Sequence, residues 1–200
     1  MTQGQLPEAQ PTGTAPEGPQ AGKPQGASFF RGLMRLVYEA LETVLPALVI
    51  VLVINAFLAQ ATRVEGQSME PNLHNNERLI IEKISYRFHP PRRGDIIVLR
   101  LPNRTSDPLI KRVVGLPGET VEITDGHVLI NGQVLDEPYL NQFTYQGMPP
   151  RVVPPNEVFV LGDNRGFSND SRAFGFVPFS DIIGRAWFRY WPPLEIGFVR

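Results

Sequence analysis

From Thr43 to Thr62 the chain runs 20 residues without a charged side chain, including the stretch ALVIVLVINAFLA. At about 1.5 Å of rise per residue, such a helix spans about 30 Å, the thickness of a bilayer's hydrocarbon core. A segment like this crosses a membrane, fills the core of a soluble protein, or is removed as a leader. A leader is a serious alternative, because the run ends in Ala59-Gln60-Ala61, an A-x-A pattern of small residues. A long N-terminal tail and a slightly amphipathic approach, FFRGLMRLVYEALETVL, favour a permanent anchor instead. Residues 29–62 are therefore predicted to form a helical lead-in and one transmembrane helix. Lys23, Arg31 and Arg35 precede the run and Arg63 follows it closely. That bias predicts a single-pass protein with its N-terminus in the cytoplasm and residues 63–200 extracytoplasmic.

Residues 1–28 hold five Pro, five Gly and five Gln, with Met1 and Leu6 as the only large apolar side chains. Burial cannot offset the entropy of ordering such a segment, so a disordered tail is expected. Beyond Arg63 the pattern changes to short runs rich in β-branched residues, such as RLIIEKI, DIIVLRL, LIKRVVGL, TVEIT and EVFVLGD, separated by Gly, Pro, Asn and Asp. Alternation and punctuation of this kind predict a mainly β domain. Asp125-Gly126 and Asn131-Gly132 read as tight hairpin turns. Residues 138–155, with Pro149-Pro150 and Pro154-Pro155, show no periodic pattern and read as an extended surface insertion.

The formal net charge of -1 leaves no electrostatic footprint for nucleic acid. With no cysteine, thiol nucleophiles, disulfides and thiolate metal sites are all excluded. His74, His89 and His127 stand in no metal-ligand spacing, and neither metal nor cofactor is expected.

Three segments could carry chemistry. Ser68 lies in VEGQSMEPNL and by itself reads as a turn serine. Lys111 lies in PLIKRVVGLPGE among Leu109, Ile110, Val113 and Val114, where a lysine is commonly an edge charge reaching for water. The loop GDNRGFSNDSR, Gly162 to Arg172, reads as a hydrated turn with local side-chain caps.

Together, in this order, the three resemble the motifs of the type I signal peptidases, bacterial membrane-bound proteases with a Ser/Lys dyad. Ser68-Met69-Glu70-Pro71-Asn72-Leu73 follows that family's Ser-Met-x-Pro-Thr-Leu, with Asn72 in place of Thr. RRGDIIVLRLP, with Arg93-Gly94-Asp95, is similar to the next box, and KRVVGLPGE to the lysine motif. GDNRGFSNDSR matches every fixed position of Gly-Asp-Asn-Arg-x-x-Ser-x-Asp-Ser-Arg. The resemblance implies a coiled, barrel-like antiparallel β-sheet as catalytic domain behind one transmembrane helix, located at the bacterial cytoplasmic membrane. It implies Ser68 as nucleophile, Lys111 as general base, Ser168 hydrogen-bonded to the lysine amine, and Asp170 with Arg172 bracing the loop beneath. Gly66 stands where some members place an oxyanion-hole serine, leaving the Ser68 amide, with the Gly66 backbone as a further donor. Val64, Met69, Leu73 and Ile110 match positions lining the substrate pockets. The implied partners are signal-peptide-bearing preproteins cut after A-x-A, and the lipid bilayer; oligomeric state is not implied. By the same rule the protein is expected to cut its own kind after Ala61 of Ala59-Gln60-Ala61 once the anchor is extracted from lipid, because in the membrane a continuous helix would hide that bond.

Two readings of other classes fit less of the chain. An anchored β-domain that only binds partners leaves the Ser, Lys and Gly-Asp boxes unexplained. A self-cleaving repressor with Ser/Lys chemistry would carry a helix-turn-helix module where the apolar run stands.

The charge bias makes a topological prediction. Protease added to right-side-out vesicles is expected to reach residues 138–155 and to spare residues 1–28; digestion of the tail with 138–155 protected would invert the topology.

Overall fold

The computed structural model of the chain describes Met1 and residues 26–53, 59–101 and 107–199. Most of the expected disordered tail therefore lies outside the described residues. Helix α1 covers Gly26–Val53, 28 residues and about 42 Å long. Leu45, Leu48, Ile50 and Leu52 along it are all exposed. Its stretch Arg31–Val53 is long and apolar enough to cross a membrane. On the more polar part of the helix, Arg35 Nε donates to Glu39 Oε1 at 2.9 Å, one turn away.

The helix does not reach Thr62 as expected. Ala59–Arg63 is a strand, β1, paired antiparallel with β2 (Arg78–Glu82) from Ala59↔Glu82 to Arg63↔Arg78. Ala and Gln prefer helix when only local propensity acts, but here a complete ladder to a partner strand overrides that preference. The bond after Ala61 thus lies in a strand rather than in a continuous helix.

The remaining strands are β3 (Ile96–Leu99), β4 (Leu109–Gly115), β5 (Thr120–Thr124), β6 (His127–Ile130), β7 (Gln133–Val134), β8 (Met148–Val152), β9 (Glu157–Leu161), β10 (Val177–Pro178), β11 (Ile182–Trp191) and β12 (Gly197–Phe198). The larger sheet runs β1-β2-β11-β3-β4-β9-β10, with β12 beside β11. The smaller one runs β7-β6-β5-β8. The protein is thus mainly β and antiparallel. Register shifts along β11 and between β4 and β9 add twist and coil the larger sheet. Among the described residues its end strands β1 and β10 do not pair with each other, so it is an open curl rather than a closed barrel.

Both hairpin turns form as expected. Asp125 and Gly126 take φ of 51° and 82°, and Asn131 and Gly132 take 52° and 80°, the left-handed pair that a two-residue turn between twisted strands needs. The 138–155 stretch departs from its reading, because Met148–Val152 pairs with β5. Pro149 and Pro150 fall where that register shifts, on the edge strand of the smaller sheet, where a missing N–H costs no ladder bond.

All four residues of β3 are buried, so both faces of the sheet are covered. Ile96 and Val98 join Leu79, Ile81 and Ala186 on one face. Ile97 and Leu99 join Val113, Val158 and Val160 on the other. A third cluster packs Val114, Phe159 and Leu161 of the larger sheet against Val121, Ile123 and Val128 of the smaller. Gly115 lies at this junction, and a Cβ there would meet Val121 Cγ2 at 2.5 Å and Phe159 Cβ at 2.9 Å. Gly115→Ala is expected to destabilise the fold by about 1–3 kcal/mol through overpacking, seen as a lower denaturation midpoint in detergent.

Candidate active site

Ser68 lies on the loop between β1 and β2, and buried apolar side chains anchor that loop. The carbonyl of Met69 accepts from the N–H groups of Asn72 and Leu73, closing one helical turn. This turn sends Met69 and Leu73 into the core, 1% and 2% exposed, beside Val64 and Ile110. The four positions expected to line substrate pockets therefore come together in one cluster, as a buried floor rather than as open walls. Val64 N donates to Glu77 O at 2.8 Å and Asn76 N to Val64 O at 2.9 Å, tying the loop's base to the start of β2.

Lys111, on β4, is 2% exposed. Its Nζ lies 2.7 Å from Ser68 Oγ and donates to the Ile110 carbonyl at 2.9 Å. Burial lowers its pKa from the ordinary value to about 8, although the carboxylates of Asp170 and Asp163 pull it back upward. Two positions 43 residues apart thus present a hydroxyl against an amine that is partly neutral near physiological pH.

The loop after β9 closes the site from the other side. Gly162 is fully packed, and a Cβ on it would overlap the Ser68 carbonyl oxygen and the Ser168 side chain. Asn164 N donates to Ser68 O at 3.0 Å. Asp170 accepts from Gly162 N at 3.1 Å and from Arg172 Nε and Nη2 at 2.8 Å each, and Arg172 Nη2 also donates to Arg165 O. Asp170 and Arg172 thus link both ends of this loop. Ser168 differs from its expected part: its hydroxyl is buried and has no hydrogen-bond partner among the described residues, Lys111 included. Gly66 also differs. At φ +85° its N–H already donates to Asn75 Oδ1 at 3.1 Å.

Several residues without an expected role are built into the same structure. Arg112 forks onto Asp163, Nε to Oδ1 at 2.8 Å and Nη2 to Oδ2 at 2.6 Å, with both side chains buried. Asn72, the departure from the serine motif, donates from Nδ2 to Asp163 Oδ2 at 2.8 Å and to the Tyr139 carbonyl at 2.9 Å. The only sequence signals were a charge beside Lys111 and an amide where Thr is usual.

Among the described residues, His74, Glu77 and Glu195 bring potential metal-ligand atoms within 4.8 Å of one another. Arg189 Nη1 already lies 2.9 Å from Glu77 Oε1 and from Glu195 Oε2, so a guanidinium neutralises these carboxylates.

A buried ammonium is costly, and this makes a stability prediction. Because the folded-state pKa lies below the unfolded value of about 10.4, the cost is full below pH 8 and vanishes as pH rises past the unfolded value. Lys111→Met is expected to be more stable than wild type by about 2 kcal/mol at pH 6, after allowing for the lost hydrogen bonds, with the gap closing towards pH 10 in urea denaturation.

Comparison with known proteins identifies the chain's relatives. The family described as "Signal peptidase, peptidase S26" matches residues 37–191. The signal peptidase I of Leptolyngbya laminosa is 44% identical over 191 residues, covering 92% of this chain and 91% of the relative. That of Bacillus caldolyticus is 39% identical over 166 residues, covering 76% of this chain and 90% of the relative. A solved structure of a signal peptidase I from Enterococcus faecalis V583 is 39% identical, covers 48% of this chain and 95% of its own, and superposes with a TM-score of 0.43.

Proposed function

The chain belongs to the signal peptidase, peptidase S26, family, and on that premise we propose that it cuts preproteins through a dyad of Ser68 and Lys111. It is a serine endopeptidase that removes signal peptides. The observation that carries the dyad is the 2.7 Å approach of a buried amine to the Ser68 hydroxyl. As Ser68 Oγ attacks the scissile carbonyl, its proton passes to the neutral Lys111 amine. The resulting ammonium protonates the leaving amine while the C–N bond breaks, leaving an acyl-enzyme. Lys111 then takes a proton from water as the water oxygen bonds to the acyl carbon, the ester C–O bond to Ser68 breaks, and the proton returns to Ser68 Oγ as the acid product leaves. Asp170 with Arg172, and Asp163 with Arg112, keep the loops beneath the dyad in place.

Substrate would add to the free edge of β4. Its ladder to β9 begins only at Arg112↔Leu161, so Leu109–Lys111 has no partner on that side among the described residues. An extended peptide paired there would pass Ser68 with its backbone, over the buried apolar cluster of Val64, Met69, Leu73 and Ile110, and small residues before the cut, as in A-x-A, would suit that surface. Helix α1 would anchor the enzyme in the cytoplasmic membrane, its exposed apolar side chains meeting lipid. On the β domain, Trp187, Trp191, Leu194 and Phe198 are exposed together near the end of the chain, a composition suited to the lipid headgroup region. The catalytic domain would lie on the outer face.

Incubating the detergent-solubilised protein with a precursor bearing an A-x-A site, followed by mass analysis, tests this reading. Ser68→Ala should stay folded and leave the precursor intact. Lys111→Arg should also be inactive, because guanidinium keeps its proton and offers no lone pair. Wild-type kcat/KM should climb through an ionisation near pH 8 and level off above it. Near-normal turnover by either variant, or a flat profile in a chemistry-limited assay, would reject the dyad.

A further inference from the structure

The segment after β7, which matches no motif, is fastened to the loops that carry the dyad. Arg165 is buried, and it donates to Glu137 Oε1 at 2.6 Å and to Thr144 Oγ1 at 2.6 Å. Asn72 holds the Tyr139 carbonyl, and Gln142 Nε2 donates to Asn164 Oδ1 at 3.1 Å. Tyr139 also stacks its ring under the Arg112 guanidinium, 4.1 Å from the ring centroid. Residues 137–144 are thus held at four points against the serine loop and the Gly162–Arg172 loop.

Between these parts runs a groove of about 300 Å³, lined by Glu70, Pro71, Asn141, Gln142, Asn164 and Phe167. Asn141 and Gln142 also line a larger cleft of about 770 Å³ walled by His127, Phe143 and Tyr145. The two cavities share Asn141 and Gln142 in their walls, and the lining of the first begins at Glu70, two residues past Ser68. Phe167, Phe143 and Tyr145 are 77%, 58% and 80% exposed, large apolar surfaces left open beside a catalytic centre. The lining pairs carboxamides, able to meet both the N–H and C=O groups of an extended backbone, with aromatic faces able to meet its side chains.

We propose that this groove binds the part of the preprotein that follows the cut, the first residues of the mature chain. The inference rests on the peptidase reading above and names a second half for its substrate site. The free edge of β4 serves the signal-peptide side in the peptidase reading. Asn164 N donates to the Ser68 carbonyl at 3.0 Å and Glu70 and Pro71 follow Ser68 on its loop, so the groove they line opens beside the nucleophile and offers an exit for an extended chain. Fastening 137–144 to the catalytic loops gives that exit a fixed wall, so binding there positions the scissile bond as well as holding the product.

Two peptides with the same A-x-A segment test this, one ending two residues after the cut and one ending six residues after it. Wild type is expected to cut the longer with kcat/KM higher by about tenfold, equal to about 1.4 kcal/mol. Phe167→Ala, at an exposed position, should bring the two peptides to within about twofold of each other, mainly through KM on the longer one. Phe88→Ala, 83% exposed and outside the groove, should keep the wild-type ratio. As a second measurement, the longer peptide with a photoreactive residue at the fourth position after the cut should crosslink Ser68→Ala protein within residues 141–145 or 164–167. Equal wild-type cleavage of both peptides, a preserved ratio in Phe167→Ala, or crosslinks elsewhere would overturn this proposal and leave the peptidase reading standing. Failure of wild type to cut either peptide would remove both.

Discussion

The exclusion of water from one lysine amine is the condition on which the rest of the site depends. A lysine in solvent holds its proton at neutral pH and cannot act as a base. Here Lys111 is almost fully buried, with its amine against Ser68 Oγ and the Ile110 carbonyl, and burial brings its pKa to about 8. Every neighbouring element either maintains that exclusion or limits what opposes it. The main opposition comes from Asp163 and Asp170, two buried carboxylates whose fields favour the ammonium. Each is paired with a guanidinium, Arg112 or Arg172, so the carboxylates can brace the loops without presenting two uncompensated negative charges to the amine.

Those pairs also set the precision of the site. Arg112 follows Lys111 on β4, and Asp163 follows Gly162 in the loop that packs against the Ser68 carbonyl. The strand bearing Lys111 and the loop touching Ser68 are therefore joined by a two-pronged ion pair, whose geometry tolerates little displacement. Asn72 brings the serine loop into the same cluster and extends it to Tyr139. A threonine hydroxyl is shorter and has a single proton to donate, so the two bonds that Asn72 gives from one nitrogen are particular to the amide. Through this residue and Arg165, the segment before β8 becomes part of the catalytic architecture rather than a decoration on it.

Much of this was legible in the sequence. The apolar run, the left-handed Asp-Gly and Asn-Gly turns and the β-branched strands follow from local chemistry, in which each residue's preference depends on its immediate neighbours. The pairing of Ser68 with Lys111 and the family's fold became legible through motif order, as did the brace of Asp170 with Arg172, three positions inside one short box. Other features were misjudged or missed. The helix was carried to Thr62 because Ala59–Arg63 looks apolar and uncharged up to its last residue, while the strand it forms exists only through β2. The Pro-rich stretch looked shapeless because its partner strand β5 lies more than twenty residues away.

The amino-acid sequence by itself determined that a long apolar helix precedes a mainly β domain, because those facts reside in composition, spacing and short-range turns, and the resemblance of its motifs to a known family implied which serine, lysine and polar loop belong together. Only the tertiary structure decided that Ala59–Arg63 is a strand rather than helix. It also decided that Asn72 bridges Asp163 and Tyr139, that residues 137–144 are clamped onto the catalytic loops, and that the Ser168 hydroxyl and the Gly66 N–H do not take their expected parts. These depend on contacts between residues 67 and 91 positions apart for Asn72, or on which of several acceptors a single donor meets. Distance along the chain carries no information about such choices until the sheet has brought the loops together.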